Sequence, residues 1–219
     1  MLDVWFEKRY AKSCRGKAYL VRYADDFVAC FNQEEDAKRF MVELQNRLAD
    51  FNLEAEPTKT RLLRFGDQAQ AQCKQEGLLR PQTFNFLGFT HFVGRTRSGR
   101  FVVGRQTQAE RIRKKLKAVS VRLVALRTYG GKAMLEYVRR HLQGHIQYFG
   151  VSGNSRSLHT YVYLVGRLLF KWLNRRSQRR SVTWDRFNQV IVPLLSRPRI
   201  IHHLYPTLPW MTQAGSRME

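Results

Sequence analysis

Apolar and polar residues change their period near Gln106. Before that point short alternating runs dominate. Ala18 to Tyr23 and Phe27 to Phe31 are β-prone, and Ala24-Asp25-Asp26 between them predicts a hairpin with two carboxylates at its tip. Asn32 stands three residues before Glu35, the spacing of a capping box. Ala37, Phe40, Met41, Leu44, Leu48 and Phe51 then recur at helical intervals, which predicts a helix of about four turns burying one face. A further strand pair is predicted at Leu53–Glu56 and Thr60–Phe65, followed by a polar loop from Gly66 to Gln82. Phe84–Phe92 and Arg100–Val103 read as another hairpin around Arg97-Ser98-Gly99. Strands and a helix in this order predict an α+β layer.

After Gln106 the period becomes helical. Ile112, Leu116, Val119, Leu123 and Leu126 form one stripe. Met134, Tyr137, Val138, His141, Leu142, His145, Ile146 and Phe149 form a second after the Gly130-Gly131 break. Tyr161, Leu164, Val165, Leu168, Leu169 and Trp172 form a third after Ser152-Gly153-Asn154, and a short fourth helix is predicted from Trp184 to Leu195. Amphipathic helices joined by short loops predict a small bundle.

Charge separates the same two regions. Of 219 residues, 39 are Lys or Arg and 17 are Asp or Glu, a formal net charge of +22. Residues 1–90 are nearly balanced, with 14 basic and 13 acidic side chains, whereas residues 91–219 carry 25 basic and 4 acidic ones. Four acids cannot neutralise 25 bases, so the helical region is expected to bind a polyanion, structured RNA above all. Its outer faces present Arg111, Arg113, Lys114, Lys115 and Lys117, then Arg139 and Arg140, then Arg175, Arg176, Arg179 and Arg180. Tyr129, Tyr148, Tyr161, Tyr163, Trp172 and Trp184 lie among these charges; they suit base stacking, but their helical spacing predicts that most are core.

Cys14, Cys30 and Cys73 are widely spaced, which supports neither a disulfide framework nor a zinc ribbon. The start, MLDVWFEKRY, has no apolar signal region, and Tyr161 to Phe170 is too short to span a bilayer. A cytoplasmic location is expected. His141 and His145 stand one turn apart, as zinc ligands can, but no third ligand is evident and contact with RNA or a neighbouring helix is the expectation. His202-His203 has no metal partner in view.

The sharpest chemical signal is Tyr23-Ala24-Asp25-Asp26 between apolar strands. Adjacent carboxylates repel, and a hard divalent cation such as Mg²⁺ relieves that repulsion. The bland alternative is a polar β-turn, in which Asp is common.

This segment resembles the YADD box of reverse transcriptases. Phe86-Leu87-Gly88-Phe89 resembles the FLGF primer-grip segment of group II intron reverse transcriptase/maturases, though it also reads as a buried strand with a close-approach glycine. The basic helical region, with its runs His141 to Gly150 and Trp172 to Arg176, resembles that family's thumb or maturase-specific domain. The resemblance spans about Leu2 to Pro209. It implies a partial right-hand polymerase palm at 1–105, an α-helical thumb at 106–200 and a C-terminal tail at 201–219. It further implies RNA-directed DNA polymerisation with two Mg²⁺ ions, Asp25 and Asp26 as metal and catalytic carboxylates, and Tyr23 and Ala24 beside primer end and nucleotide. Leu87, Gly88 and Phe89 would steady the primer, and Lys59 would lie near nucleotide phosphates, where an ordinary exposed lysine is the other reading. The partners implied are intron RNA and an RNA/DNA primer-template.

Family members carry a further metal-binding Asp and fingers ahead of the YADD box. Leu2 to Lys8 resembles the helix tail beyond those elements, and Asp3 does not stand in the context of the further Asp. The palm sheet is therefore expected to expose an edge. The chain alone is expected to bind RNA but not to polymerise. It reads either as one half of a split protein, completed by an N-terminal fragment, or as a non-catalytic RNA-binding remnant.

Overall fold

The computed structural model describes residues 2–96, 98–175 and 182–204. It is α+β, with antiparallel strands and one long helix followed by three longer helices, as the pattern predicts. Two compact units are present: Met1–Leu87 with Phe92–Val103, and Gly88–His91 with Gly104–Glu219.

The first unit begins with α1 (Leu2–Trp5), a π-helical turn (Phe6–Tyr10) and α2 (Ala11–Ser13) in unbroken succession. β1 (Ala18–Tyr23) and β2 (Asp26–Phe31) then pair antiparallel, with Val21 opposite Val28 and Tyr23 opposite Asp26. Strand alternation places Ala18, Leu20, Phe27, Ala29 and Phe31 on one face. That face packs on Phe6, Tyr10 and, from α3 (Glu34–Ala49), Phe40 and Leu44. Tyr19, Val21 and Tyr23, on the opposite face, are exposed. Among the described residues β1 and β2 form a sheet of two strands, which leaves strand edges without a ladder partner there.

α3 starts one residue later than a capping box at Asn32 requires. Gln33 occupies the N-cap and no side chain caps the turn; Glu34, Glu35 and Asp36 instead meet the positive end of the helix dipole. Asp36 is buried and fully engaged. Its carboxylate accepts the backbone N–H of Arg15 at 2.9 Å and of Gly16 at 3.2 Å, while its carbonyl accepts the Tyr10 hydroxyl at 2.6 Å. The helix stops at Ala49 rather than Phe51, with Asn52 just beyond at φ 55°.

The strands predicted at Leu53–Glu56 and Thr60–Phe65 do not form. The intervening residues close a turn in which Thr60 N–H donates to the Glu56 carbonyl at 2.9 Å, and no ladder partner flanks either segment among the described residues. Within the predicted loop, α4 (Ala69–Gln75) buries Ala69 and Cys73, one turn apart.

Phe84–Phe92 is likewise not one strand. It splits into β3 (Phe84–Phe86) and β4 (Phe89–Arg95), and β5 (Phe101–Thr107) completes a sheet in the order β3-β4-β5. Leu87 and Gly88 have φ of 49° and 81°. Positive φ at both central residues is the signature of a type I′ turn, whose twist suits a two-residue hairpin. The cost falls on Leu87, since a leucine in that region is sterically strained.

The second unit holds α5 (Ala109–Ala125), a 3₁₀ turn (Leu126–Tyr129), α6 (Gly130–Phe149) and α7 (Ser155–Asn174). Residues 184–194 are helical as predicted, but as a composite of α8 (Trp184–Arg186), a π turn and a 3₁₀ turn. Val119 and Leu123 from α5, Met134, Val138 and Leu142 from α6, and Tyr161, Val165 and Leu169 from α7 are fully buried. The helix stripes were thus correctly spaced. Asn154 fastens the turn between α6 and α7: its amide donates to the Thr107 hydroxyl at 2.9 Å and the Phe149 carbonyl at 2.8 Å, and its oxygen accepts the Thr107 N–H at 2.8 Å. His202 returns to the same corner, its backbone N–H donating to the Gly150 carbonyl at 2.9 Å. A side chain at Gly150 would begin 2.5 Å from the Ile146 carbonyl, so only glycine fits there.

The two histidines of α6 are packing residues. His141 Nε2 lies 2.7 Å from the Tyr161 hydroxyl. The His145 ring is sandwiched between Tyr161, 3.8 Å away between centroids, and Phe149 at 4.6 Å. Lys115 Nζ stands 3.4 Å from its Nδ1. Burial, reinforced by Lys115, pushes the His145 pKa down to about 3. The unfolded chain takes up this proton near pH 6.5 and the folded one does not, so stability is full above pH 6.5 and is lost as pH falls towards 3. The urea midpoint should drop steadily across that window, by up to about 1.4 kcal/mol of stability per pH unit. His145→Phe should flatten the slope; an unchanged slope would show that the ring is charged in the fold.

Candidate catalytic hairpin and nucleic-acid interface

The β1–β2 hairpin closes through two residues, Ala24 and Asp25, while Asp26 already belongs to β2 and pairs with Tyr23. The two carboxylates are therefore not equivalent: one sits in the turn and the other at the head of a strand. Ala24 has φ 52°, a region that costs an alanine roughly 1–2 kcal/mol. A glycine at this tip would carry no such strain. Tyr23, Ala24, Asp25 and Asp26 are all exposed.

Arg22 braces this tip from beneath. Its Nη1 donates to the Ala24 carbonyl at 2.8 Å, and its Nε donates to Asp3 Oδ1, also at 2.8 Å. The Arg22 guanidinium holds the Asp3 carboxyl below the usual carboxylate range. Asp3 thus orients the turn through Arg22. Nothing local in the sequence signals this pair, whose members stand 19 residues apart.

Asp25 and Asp26 present oxygen ligands to solvent, the donor type a hard cation takes. Among the described residues, no group of three or more His, Cys, Asp or Glu side chains gathers in a way that could hold a metal ion. The pair fits Mg²⁺ in part: such an ion is commonly held by one or two carboxylates, with water and substrate phosphates completing the octahedron.

The remaining positions are dispersed. Leu87 lies in the first unit, and Gly88 and Phe89 lie in the second. In the second unit, the Gly88 carbonyl accepts the Gln108 N–H at 3.2 Å, and Arg111 packs 3.4 Å from the position a Gly88 side chain would take. Phe89 is buried against Phe149, ring centroids 5.2 Å apart, and is a core residue. Lys59 is exposed on the turn after Pro57.

Of the predicted RNA-binding residues, Arg111, Arg113, Lys114, Lys117, Arg139, Arg140 and Arg175 are exposed. Arg140 is paired with Glu136. Lys115 differs from the rest: it lies over the Phe149 ring at 4.6 Å beside His145, and burial lowers its pKa. Arg176, Arg179 and Arg180 fall outside the described residues. The aromatic residues divide more evenly than their spacing predicts. Tyr161 is buried and Trp172 packs against the core, whereas Tyr129, Tyr148 and Tyr163 are exposed by half or more, at 76%, 52% and 55%. Trp184 is exposed too, although it stacks on Phe187 at 5.5 Å. Among the described residues, no helix is long and apolar enough to cross a membrane.

Residues 3–91 match the family model described as reverse transcriptase (RNA-dependent DNA polymerase). No curated protein is matched.

Proposed function

From a reverse-transcriptase domain over residues 3–91, we propose that the chain supplies the metal-binding hairpin and the RNA-gripping helices of a group II intron reverse transcriptase/maturase. The observation that carries this reading is the strained hairpin tip with Asp25 and Asp26 exposed side by side, followed by a helical unit whose positive charge far exceeds its negative charge. A nucleic-acid template is what a reverse-transcriptase domain works on, and structured intron RNA is the form we propose for this chain.

In this reading Asp25 and Asp26 hold Mg²⁺, Asp25 more directly because it stands in the turn. A metal held by these two carboxylates would supply positive charge to favour deprotonation of a primer 3′-hydroxyl and to offset charge on a departing pyrophosphate. Arg22 fixes the carbonyl of Ala24 and so the direction in which the carboxylates point. Tyr23 and Ala24 border the primer end and the nucleotide, Lys59 attends the nucleotide phosphates, and Leu87 and Gly88 steady the primer strand, with Phe89 behind them as a packing residue. Arg111, Arg113, Lys114, Lys117, Arg139, Arg140 and Arg175, with Arg176, Arg179 and Arg180, contact RNA phosphates. Lys115 acts from behind them as a packing residue.

Two carboxylates alone under-coordinate a two-metal site. Binding rather than polymerisation is therefore the activity we assign to these residues by themselves, with synthesis depending on a further carboxylate from a complementary fragment. Mn²⁺, a paramagnetic substitute for Mg²⁺, tests the metal assignment in the full chain. In the presence of a deoxynucleotide it should broaden the NMR signals of Tyr23 and Ala24, and Asp25→Asn with Asp26→Asn should prevent this. Equal broadening in wild type and variant would sink the assignment.

A further inference from the structure

Between α5 and α7 runs a groove of about 790 Å³. Its lining joins apolar side chains, Leu164 and Leu168 among them, with the cations Lys117, Arg167, Lys171 and Arg175. Among the described residues, no acid lines it. From residue 104 to residue 175 the only acids are Glu110 and Glu136, and Glu136 is paired with Arg140.

Three of these four cations, Arg167, Lys171 and Arg175, engage aromatic faces instead of carboxylates. Lys171 and Arg175 lie over the Trp172 ring at 5.1 and 5.6 Å, and Arg127 lies over it at 5.6 Å. Arg167 lies over Tyr163 at 5.9 Å. Trp172 is itself anchored, its indole N–H donating to the Ser120 hydroxyl at 3.2 Å, and Arg127 donates to the Arg175 carbonyl at 3.3 Å. No ion pair among the described residues involves any of the four cations. The charges of Arg167, Lys171 and Arg175 are thus held in place yet left available.

We propose that this groove seats an unpaired RNA nucleotide, the base lying on Leu164 and Leu168 and the flanking phosphates meeting Lys117, Arg167, Lys171 and Arg175. The inference deepens the RNA-binding reading of the helical unit and rests on it. Apolar side chains beside cations suit neither partner of a base pair, because a paired base keeps its faces stacked within the helix. A nucleotide splayed from a loop or a strand end offers a flat apolar face and two phosphates at once. An anionic lipid headgroup would use the same cations but would leave Leu164 and Leu168 without a flat ring to cover them.

The test uses the full chain and two labelled RNAs, a blunt hairpin and the same hairpin with a short 3′ oligouridine tail, at fixed salt. The tail should tighten binding about tenfold. Lys117→Gln, Arg167→Gln and Lys171→Gln together should reduce that advantage to about twofold or less. As a charge-matched control, Lys132→Gln, Arg156→Gln and Arg197→Gln together should weaken both RNAs alike and preserve the tail advantage. These control side chains are exposed and lie outside the groove lining. Equal erosion of the advantage by both sets, or no advantage in the wild type, overturns the groove assignment while RNA binding stands. Failure to bind either RNA brings down the RNA-binding reading as well.

Discussion

Raising salt from 50 to 200 mM should weaken the chain's hold on a structured RNA by about three to five orders of magnitude. The expectation follows from charge that the fold leaves unpaired. Residues 91–219 carry 25 basic and 4 acidic side chains, and on the helices Arg111, Arg113, Lys114, Lys117, Arg139 and Arg175 are exposed. Each phosphate they neutralise releases condensed counterions, and the entropy of that release falls as bulk salt rises. About six to ten phosphate contacts would produce a loss of this size. Each Arg→Gln or Lys→Gln change at a true contact should lower the logarithmic salt slope by about 1. Lys115→Gln should barely change the slope, because that ammonium faces His145 and Phe149. Its cost should appear in stability. A nearly flat salt response would mean that the basic helices do not hold nucleic acid.

Phe40→Ala should destabilise the first unit by about 3–5 kcal/mol. Phe40 is the hub of a small core: its ring lies 5.1 Å from Tyr10, 5.2 Å from Phe31, 5.5 Å from Phe6 and 6.0 Å from Trp5. Four fully packed side chains, Phe6, Tyr10, Phe40 and Leu44, carry that core, so little remains to compensate. Backbone amides of α3 should lose about two to three orders of magnitude of hydrogen-exchange protection, whereas those of α6 and α7 should be unaffected. The latter belong to a separate core centred on Val119, Met134, Val138, Tyr161 and Leu169. Parallel loss of protection in α6 would show that the two units fold as one.

The hairpin at Tyr23–Asp26 could be read from the sequence because everything that builds it is local: two alternating apolar runs and a polar pair between them. The helices after Gln106 were legible for the same reason, since stripes such as Met134, Val138 and Leu142 state both period and buried face. Non-local features left no such trace. The clasp from Arg22 to Asp3 and the burial of Asp36 against Arg15 and Gly16 depend on tertiary neighbours. Positions 53–65 have strand-like composition, but a strand needs a ladder partner and none flanks them among the described residues. Leu87 misled most directly, because leucine rarely adopts φ 49° and FNFLGFTHF looks continuous until that turn is allowed. Only Gly88 hinted at it. Lys115 shows a limit of helical-face arithmetic, as a long side chain on a charged stripe folded back over an aromatic ring.

Primer extension on an RNA template, with Mg²⁺ and deoxynucleotides, tests the central claim most directly when wild type and Asp25→Ala are compared in reactions where RNA binding is verified alongside. The account predicts that both bind the template with the same steep salt response and that neither extends the primer unaided, because Asp25 and Asp26 are the only carboxylates it assigns to the metal. Extension by the wild-type chain that Asp25→Ala abolishes would contradict it, showing that the 219 residues complete the catalytic site by themselves.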